Sequence, residues 1–365
     1  MPETHAARRA SLRSLIRETG LDALLVTDLL NIRYLTGFTG SNAALLVHAE
    51  SEDRTLFCTD GRYTTQSEVQ VPDLQRVLDR ASAAALARHA ASHQRDYGRT
   101  GFESQHVSVE QYESTKKIAE GIELHRSPNL VERLRLVKDQ AEIEALRMAC
   151  AAADRALSGL IEHGDLSVGR TEREVARALE NRMLDHGSAG ASFESIVAAG
   201  PNSAIPHHRP TDRQLAKGDF VKLDFGAIID GYHSDMTRTV VLGEPASWQR
   251  ELYELVHRAQ AAGLAAVLPG AEVSAVDKAA REVIEQAGHG EHFSHGLGHG
   301  VGLQVHEAPS LATTGVGTLS AGMAVTVEPG VYLAGRGGVR IEDTLIVRDG
   351  TGEVLTLSTK ELVVV

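Results

Sequence analysis

The chain has 365 residues, of which 42% are hydrophobic and 24% charged, and carries a formal net charge of −12 at pH 7. That length suits two domains with ample material for two cores, and the acidic balance argues against nucleic acid as a partner, since phosphate binding needs a basic face. The two cysteines, Cys58 and Cys150, form no CxxC pattern, so neither a disulfide scaffold nor a thiolate zinc site is expected. No apolar run approaches the roughly 18 residues of a membrane span. The start, MPETHAARRASLRSL, has no apolar core of the kind a signal peptide needs. No membrane partner is expected, and a cytoplasmic location fits.

Taken in chain order, residues 6–19 carry apolar positions at helical spacing, and Gly20 closes the run. Short apolar runs at 21–27, 42–47 and 55–59 predict buried strands, and 84–93 predicts a helix. This is a small α/β domain, placed at residues 1–130. The turn Ser127-Pro128-Asn129 and a charged connector follow. A second domain, 131–365, opens with alanine-rich helices, one over 142–162 and one starting at Thr171, where Thr171 and Glu174 form a T-x-x-E capping box. Strands are then predicted at 195–200, 220–229 and 238–243, and helices at 247–267 and 273–287. The last third is rich in glycine and short strands, which gives an α+β domain with an antiparallel sheet.

Five metal-binding side chains stand in apolar or glycine-rich strand runs of this second domain. They are Asp224 in VKLDFGA, Asp235 in GYHSDMTRT, His299 in HGLGHGVGLQVHE, Glu328 in VTVEPG and Glu342 in VRIED. The intervening IIDG reads as a hairpin turn, which predicts that Asp224 and Asp235 face each other across paired strands. Singly, each acid has a bland explanation as a cap, a turn residue or a strand end. Together, four carboxylates and one imidazole make an oxygen-rich set suited to hard or borderline divalent ions. Four such charges repel one another unless cations compensate them.

These motifs, in this order, resemble the creatinase/aminopeptidase metallopeptidases with the "pita-bread" fold. The N-terminal stretches NIRYLTGFTGSNA and TDGRY extend the likeness to the Xaa-Pro aminopeptidase and Xaa-Pro dipeptidase (prolidase) branch. The resemblance implies a creatinase-like α/β domain followed by an α+β domain with a curved antiparallel sheet. It implies two divalent cations held by Asp224, Asp235, His299, Glu328 and Glu342, with Asp224 and Glu342 shared between them. Mn²⁺ is the expected ion, with Co²⁺ or Zn²⁺ as alternatives. Glu328 would also shuttle the proton from water to the leaving proline nitrogen. His207 and His306 would contact substrate and the developing oxyanion. Phe193, His295 and Tyr332 would shape a pocket for the proline ring, with Arg340 and Thr237 orienting the carboxylates. His208 is expected to have no role.

The expected substrates are peptides containing proline. A dipeptidase must bind the proline carboxylate, which an arginine does best. The resemblance expects that arginine shortly after His306-Glu307, where this chain has Ser310. The expectation is therefore an aminopeptidase acting on Xaa-Pro peptides, with a dipeptidase as the alternative. A creatinase-type hydrolase or a metal-free binding protein on the same fold fits less well, because all five ligands are kept. The resemblance further implies a homodimer formed through the N-terminal domain, with Tyr34 and Asp60–Tyr63 as candidate contacts.

Overall fold

The structure, a computed structural model, describes residues 2–365. The chain divides into two compact units, one ending at Arg135 and the other starting at Leu136. The sequence places the cut at residue 130. The helix Leu130–Arg135 nevertheless belongs to the first unit, because Leu130 and Val131 are buried and the Arg135 guanidinium donates to the Asn31 side chain at 2.8 Å.

The first unit is built on six strands: β1 (Ala23–Val26), β2 (Ala43–His48), β3 (Leu56–Thr59), β4 (Gln75–Leu78), β5 (Arg99–Phe102) and β6 (Glu123–Arg126). Their order across the sheet is β4-β3-β2-β1-β5-β6. Leu25, Leu46 and Leu56 line up across β1, β2 and β3. They pack with Leu86 and Ala90 of the helix Ser82–Ser92. Of the central strands, β1, β2 and β3 show as apolar runs in the sequence, whereas β5, Arg-Thr-Gly-Phe, carries no such run and is missed. The strands β4 and β6 escape prediction because they lie at the sheet edges, half-buried or exposed, and need no apolar residues. Tyr34 is buried beneath the Arg8 guanidinium, 4.2 Å from its ring centroid, and is no exposed contact.

The second unit opens with the helices Gln140–Glu162 and Glu172–Asp185. Each starts with a capping box, Asp139 with Glu142 and Thr171 with Glu174. Its first sheet comprises β7 (Ile196–Ala199), β8 (Phe220–Phe225) and β11 (Met236–Val241), in the order β11-β8-β7. A small hairpin, β9 (Ile228–Ile229) and β10 (Tyr232–His233), interrupts the run from β8 to β11. Asp230 and Gly231 both have positive φ there, as a tight hairpin turn requires. The sequence reads 220–229 as one strand; the break falls at Gly226, where a Cβ would lie 1.8 Å from the Ser234 carbonyl oxygen.

A second sheet holds β12 (Gly298–Gly300), β13 (Glu307–Leu311), β14 (Ala324–Val327), β17 (Asp343–Ile346) and β18 (Glu353–Val354), in the order β13-β12-β14-β17-β18. Between β14 and β17 the chain forms a separate ribbon, β15 (Gly330–Leu333) with β16 (Gly337–Arg340). All pairings between these strands are antiparallel. The helices Ser247–Ala266 and Val273–Gln286 supply apolar residues to the core beneath β14 and β17. Among the described residues, no helix is long and apolar enough to cross a membrane.

Candidate metal centre

The strands β8 and β11 have two different buried faces. Val221, Leu223 and Phe225 join Met236 and Val240 in the core that includes Val175 and Leu179 of the helix Glu172–Asp185. The alternate positions, Lys222 and Asp224 on β8 with Thr239 and Thr237 opposite them on β11, turn polar groups to the other side. All four are buried. Burying polar groups is costly unless each finds a partner, and Asp224, Thr237 and Thr239 find theirs at Arg340 and Glu342 in the second half of the unit.

Asp224 pairs in register with Thr237, not with Asp235. Asp235 precedes β11 and shares a side with Thr237 two residues on, so the two aspartates are diagonal neighbours and not directly opposed. The two glutamates occupy matching interruptions in one long hairpin. Glu328-Pro329 separates β14 from β15, and Ile341-Glu342 separates β16 from β17. Val327 pairs with Asp343 on one side of the gap and Gly330 with Arg340 on the other. Freed from this ladder, the Glu342 amide donates to the Thr237 carbonyl at 3.1 Å, and the Glu328 amide to the Leu297 carbonyl at 2.8 Å.

His299 lies mid-strand in β12 between two glycines that the packing requires. A Cβ on Gly298 would fall 2.1 Å from the Thr326 carbonyl oxygen, and one on Gly300 2.1 Å from that of Ala308. The glycines therefore admit the neighbouring strands. His299 Nδ1 donates to the Gly300 carbonyl at 3.0 Å, which turns Nε2 toward the acids. Nε2 stands 3.5 Å from Asp235 Oδ2 and 3.4 Å from Glu328 Oε1.

Ligand atoms of Asp235, His299 and Glu342 all lie within 4.8 Å of one another. Glu342 Oε2 accepts from the Thr237 hydroxyl at 2.7 Å, while its Oε1 is buried with no hydrogen-bond partner. Asp224 is in the same state: Oδ2 accepts from Arg340 Nη2, and Oδ1 is buried and bare. Burial pushes the carboxyls of Asp235 and Glu342 well up, and neighbouring carboxylates push them further. Glu328 is raised as well by burial, opposed by His299 and Arg340. Bare buried oxygens in a cluster of mutually raised acids are what divalent cations would satisfy, so the donor set fits a metal.

Arg340 holds this arrangement from behind. Besides Asp224, it donates from Nε to the Thr237 hydroxyl at 2.9 Å and from Nη1 to the Tyr332 hydroxyl at 2.8 Å. Tyr332 OH in turn donates to His295 Nε2 at 2.8 Å, and His295 Nδ1 donates to the Gly296 carbonyl at 2.8 Å. His295 is thus neutral; burial and then Arg340 push it down to about 3.

A cavity of about 510 Å³ opens on the centre. Asp224, Asp235, His299, Glu328 and Glu342 line it, together with Phe193, His207, His295 and His306. The His299 and His306 rings meet edge to face with centroids 4.4 Å apart. Tyr332 and Arg340, expected as pocket residues, are not among its lining residues; both are buried behind it, where their hydrogen bonds lie. Ser310 lines the cavity, and so does the ion pair of Arg209 with Glu194. His208, expected to have no role, is buried and donates to Glu172 at 2.8 Å. Lys222 was also overlooked, although its position two residues before Asp224 is a period-2 signal that both face the same way.

Comparison with known proteins bears on the fold and family of both units. Residues 8–137 match the creatinase/prolidase N-terminal domain, and residues 144–349 match metallopeptidase family M24. The Xaa-Pro dipeptidase of Pyrococcus furiosus is 32% identical over 355 residues, covering 97% of this chain and 99% of that protein. Among solved structures, an Xaa-Pro dipeptidase from Bacillus anthracis superposes with a TM-score of 0.93 at 37% identity, covering 99% of this chain and all of the other. An X-Pro aminopeptidase from Thermotoga maritima gives a TM-score of 0.87 at 32% identity, covering 97% of this chain and 98% of the other. With a creatinase-type N-terminal domain and a pita-bread C-terminal domain, the chain belongs to metallopeptidase family M24.

Proposed function

We propose that the protein is a metal-dependent Xaa-Pro dipeptidase, cleaving the bond before a C-terminal proline. The observation that carries this choice over the aminopeptidase expectation is Arg209. It lines the same cavity as the ligand set. It can serve as the carboxylate-binding cation that is missing at Ser310. Its pairing with Glu194 is solvent-exposed, so exchanging that partner for a substrate carboxylate costs little. The dipeptidase names of the Pyrococcus and Bacillus relatives point the same way. The aminopeptidase reading keeps Ser310 and the Thermotoga neighbour in its favour.

Asp224, Asp235, His299, Glu328 and Glu342 would hold two divalent cations. A shell rich in carboxylates with one imidazole favours Mn²⁺. When bound, the cations supply Lewis acidity and a more acidic water. Glu328 would take a proton from the attacking water and deliver it to the proline nitrogen as the bond breaks. His207 and His306 donate to the substrate carbonyl as charge develops there. The neutral His295 and Phe193 present the surface against which the ring packs.

The test is product analysis on an Xaa-Pro dipeptide and an Xaa-Pro-Xaa tripeptide side by side, after chelation and after Mn²⁺ is restored. The dipeptide should be cut only with metal present, and the tripeptide should survive. Equal cutting of the tripeptide would return the reading to an aminopeptidase. Activity indifferent to chelation would reject the metal-dependent reading altogether.

A further inference from the structure

The segment from Ile205 to Thr211 carries His207 and Arg209 to the cavity, and it belongs to no helix or strand. A backbone of that kind is held in place only by what it bonds to. Its near end is fixed by two buried basic side chains. Lys222 Nζ donates to the carbonyls of Ile205 at 2.6 Å and Pro206 at 3.1 Å, and Arg340 Nη1 donates to Pro206 at 3.2 Å. Its far end is fixed by one buried anion, Glu172, whose relative exposure is 0%.

Glu172 is the first residue of the helix Glu172–Asp185, a position where an acid ordinarily serves its own helix. Here the helix is already capped by Thr171 and Glu174, and the Glu172 carboxylate points away to another part of the chain. Its Oε1 accepts from the Ala199 amide at 2.8 Å and from Asn202 Nδ2 at 2.9 Å. Its Oε2 accepts from His208 Nε2 at 2.8 Å, the Thr211 amide at 2.9 Å and the Thr211 hydroxyl at 2.7 Å. All five donors belong to residues 199–211. Burial pushes the carboxyl up, but these donors outweigh it and hold it below its usual range.

We propose that Glu172 is a positioning residue: by gripping His208 and Thr211 it sets His207 and Arg209 at the cavity wall. The catalytic consequence rests on the dipeptidase reading above; the grip itself does not. His208, which also lines the cavity, is then the anchor between two functional neighbours.

The experiment compares Glu172→Gln, His207→Ala, their double variant and the control Glu174→Gln in the full-length, Mn²⁺-loaded protein. Hydrogen exchange is read first, because it needs no substrate. In Glu172→Gln, the amides of residues 199–211 should exchange about tenfold faster, while the rest of the helix Glu172–Asp185 stays protected. Glu174→Gln, which weakens the helix cap alone, should leave 199–211 as in the wild type. If Glu172→Gln does not fold, His208→Phe removes one donor of the same grip and should loosen the same segment. Kinetics follow on an Xaa-Pro dipeptide. Glu172→Gln should lower kcat/KM about tenfold and cost less than that once His207 is alanine, because the part of its effect that acts through His207 is then already lost and only the part through Arg209 remains. Unchanged exchange of 199–211, or losses that multiply in the double variant, would overturn the proposal. A wild-type protein inert towards Xaa-Pro substrates, with a segment that loosens as expected, would remove the dipeptidase reading and leave the grip standing.

Discussion

Each unit of this protein holds a cavity, of about 460 Å³ in the first and about 510 Å³ in the second, so volume does not distinguish them. Their buried acids do. In the first unit Glu103 is buried, and both its oxygens are used. Oε2 accepts the amides of Thr27 at 2.6 Å and Asp28 at 2.8 Å, and Oε1 accepts from Asn31 Nδ2 at 2.7 Å. In the second unit Glu342 is equally buried, but one oxygen is bare and its near neighbours are acids. Burial raises the carboxyl in both. A perturbed acid is therefore no site in itself; an acid whose perturbation the surrounding protein leaves uncompensated is. The first cavity, with Leu25, Phe102 and Tyr112 among its walls, has no comparable cluster among the described residues.

The sharpest way to break this contrast is to treat both glutamates alike. We expect Glu342→Gln to abolish Xaa-Pro cleavage and weaken Mn²⁺ binding, by more than the roughly 10–100-fold typical of an outer partner. Glu103→Gln should leave Mn²⁺ affinity unchanged and lower unfolding stability by about 1–3 kcal/mol, since an amide must then face donors. Calorimetry with Mn²⁺ and urea unfolding on each variant give the answer; weaker metal binding in Glu103→Gln would dissolve the distinction.

A smaller effect is expected one layer out from the proposed metal ligands. Thr237→Val keeps the shape of the side chain but removes the hydroxyl that donates to Glu342 and accepts from Arg340. Metal affinity or kcat/KM should fall roughly 10–100-fold. Wild-type values for both would mean that Glu342 is oriented by its backbone alone.

The smallest effect concerns pH. A carboxyl whose folded value is raised adds stability below its unfolded value and loses that contribution as pH rises through the folded one. Asp235, Glu328 and Glu342 are all raised, chiefly by burial. The metal-free protein should therefore lose stability as pH climbs above the ordinary carboxyl range, and saturating Mn²⁺ should flatten that slope. Urea midpoints measured across pH with and without Mn²⁺ test it; a metal-free slope of opposite sign would mean that the cluster is not protonated as described.

Much of this was legible in the residues themselves. The capping box of Thr171 and Glu174 and the hairpin turn at Asp230-Gly231 are local, and their bonds close within a few residues. The acids in strand runs announced themselves because apolar strands do not otherwise carry carboxylates. Adjacent acids show where that reading stops. In the run VRIED, Glu342 and Asp343 are alike by composition and position. The structure makes Asp343 an ion-pair residue, bound to Arg238 and Lys360 at 2.7 Å each and to Gln260 at 2.8 Å. Glu342 is left with a bare oxygen.

From the sequence alone came the type of donor, the number of charges and the demand for cations, because these depend on side-chain chemistry that travels with the residue. Which oxygens remain bare, which histidine anchors its segment and which arginine stands behind the wall were settled only when distant strands met. Thr237 and its partner Glu342 lie 105 residues apart. His208 and Glu172 lie 36 apart. The state of a buried polar group is set by its neighbours in space, and local pattern carries no record of them.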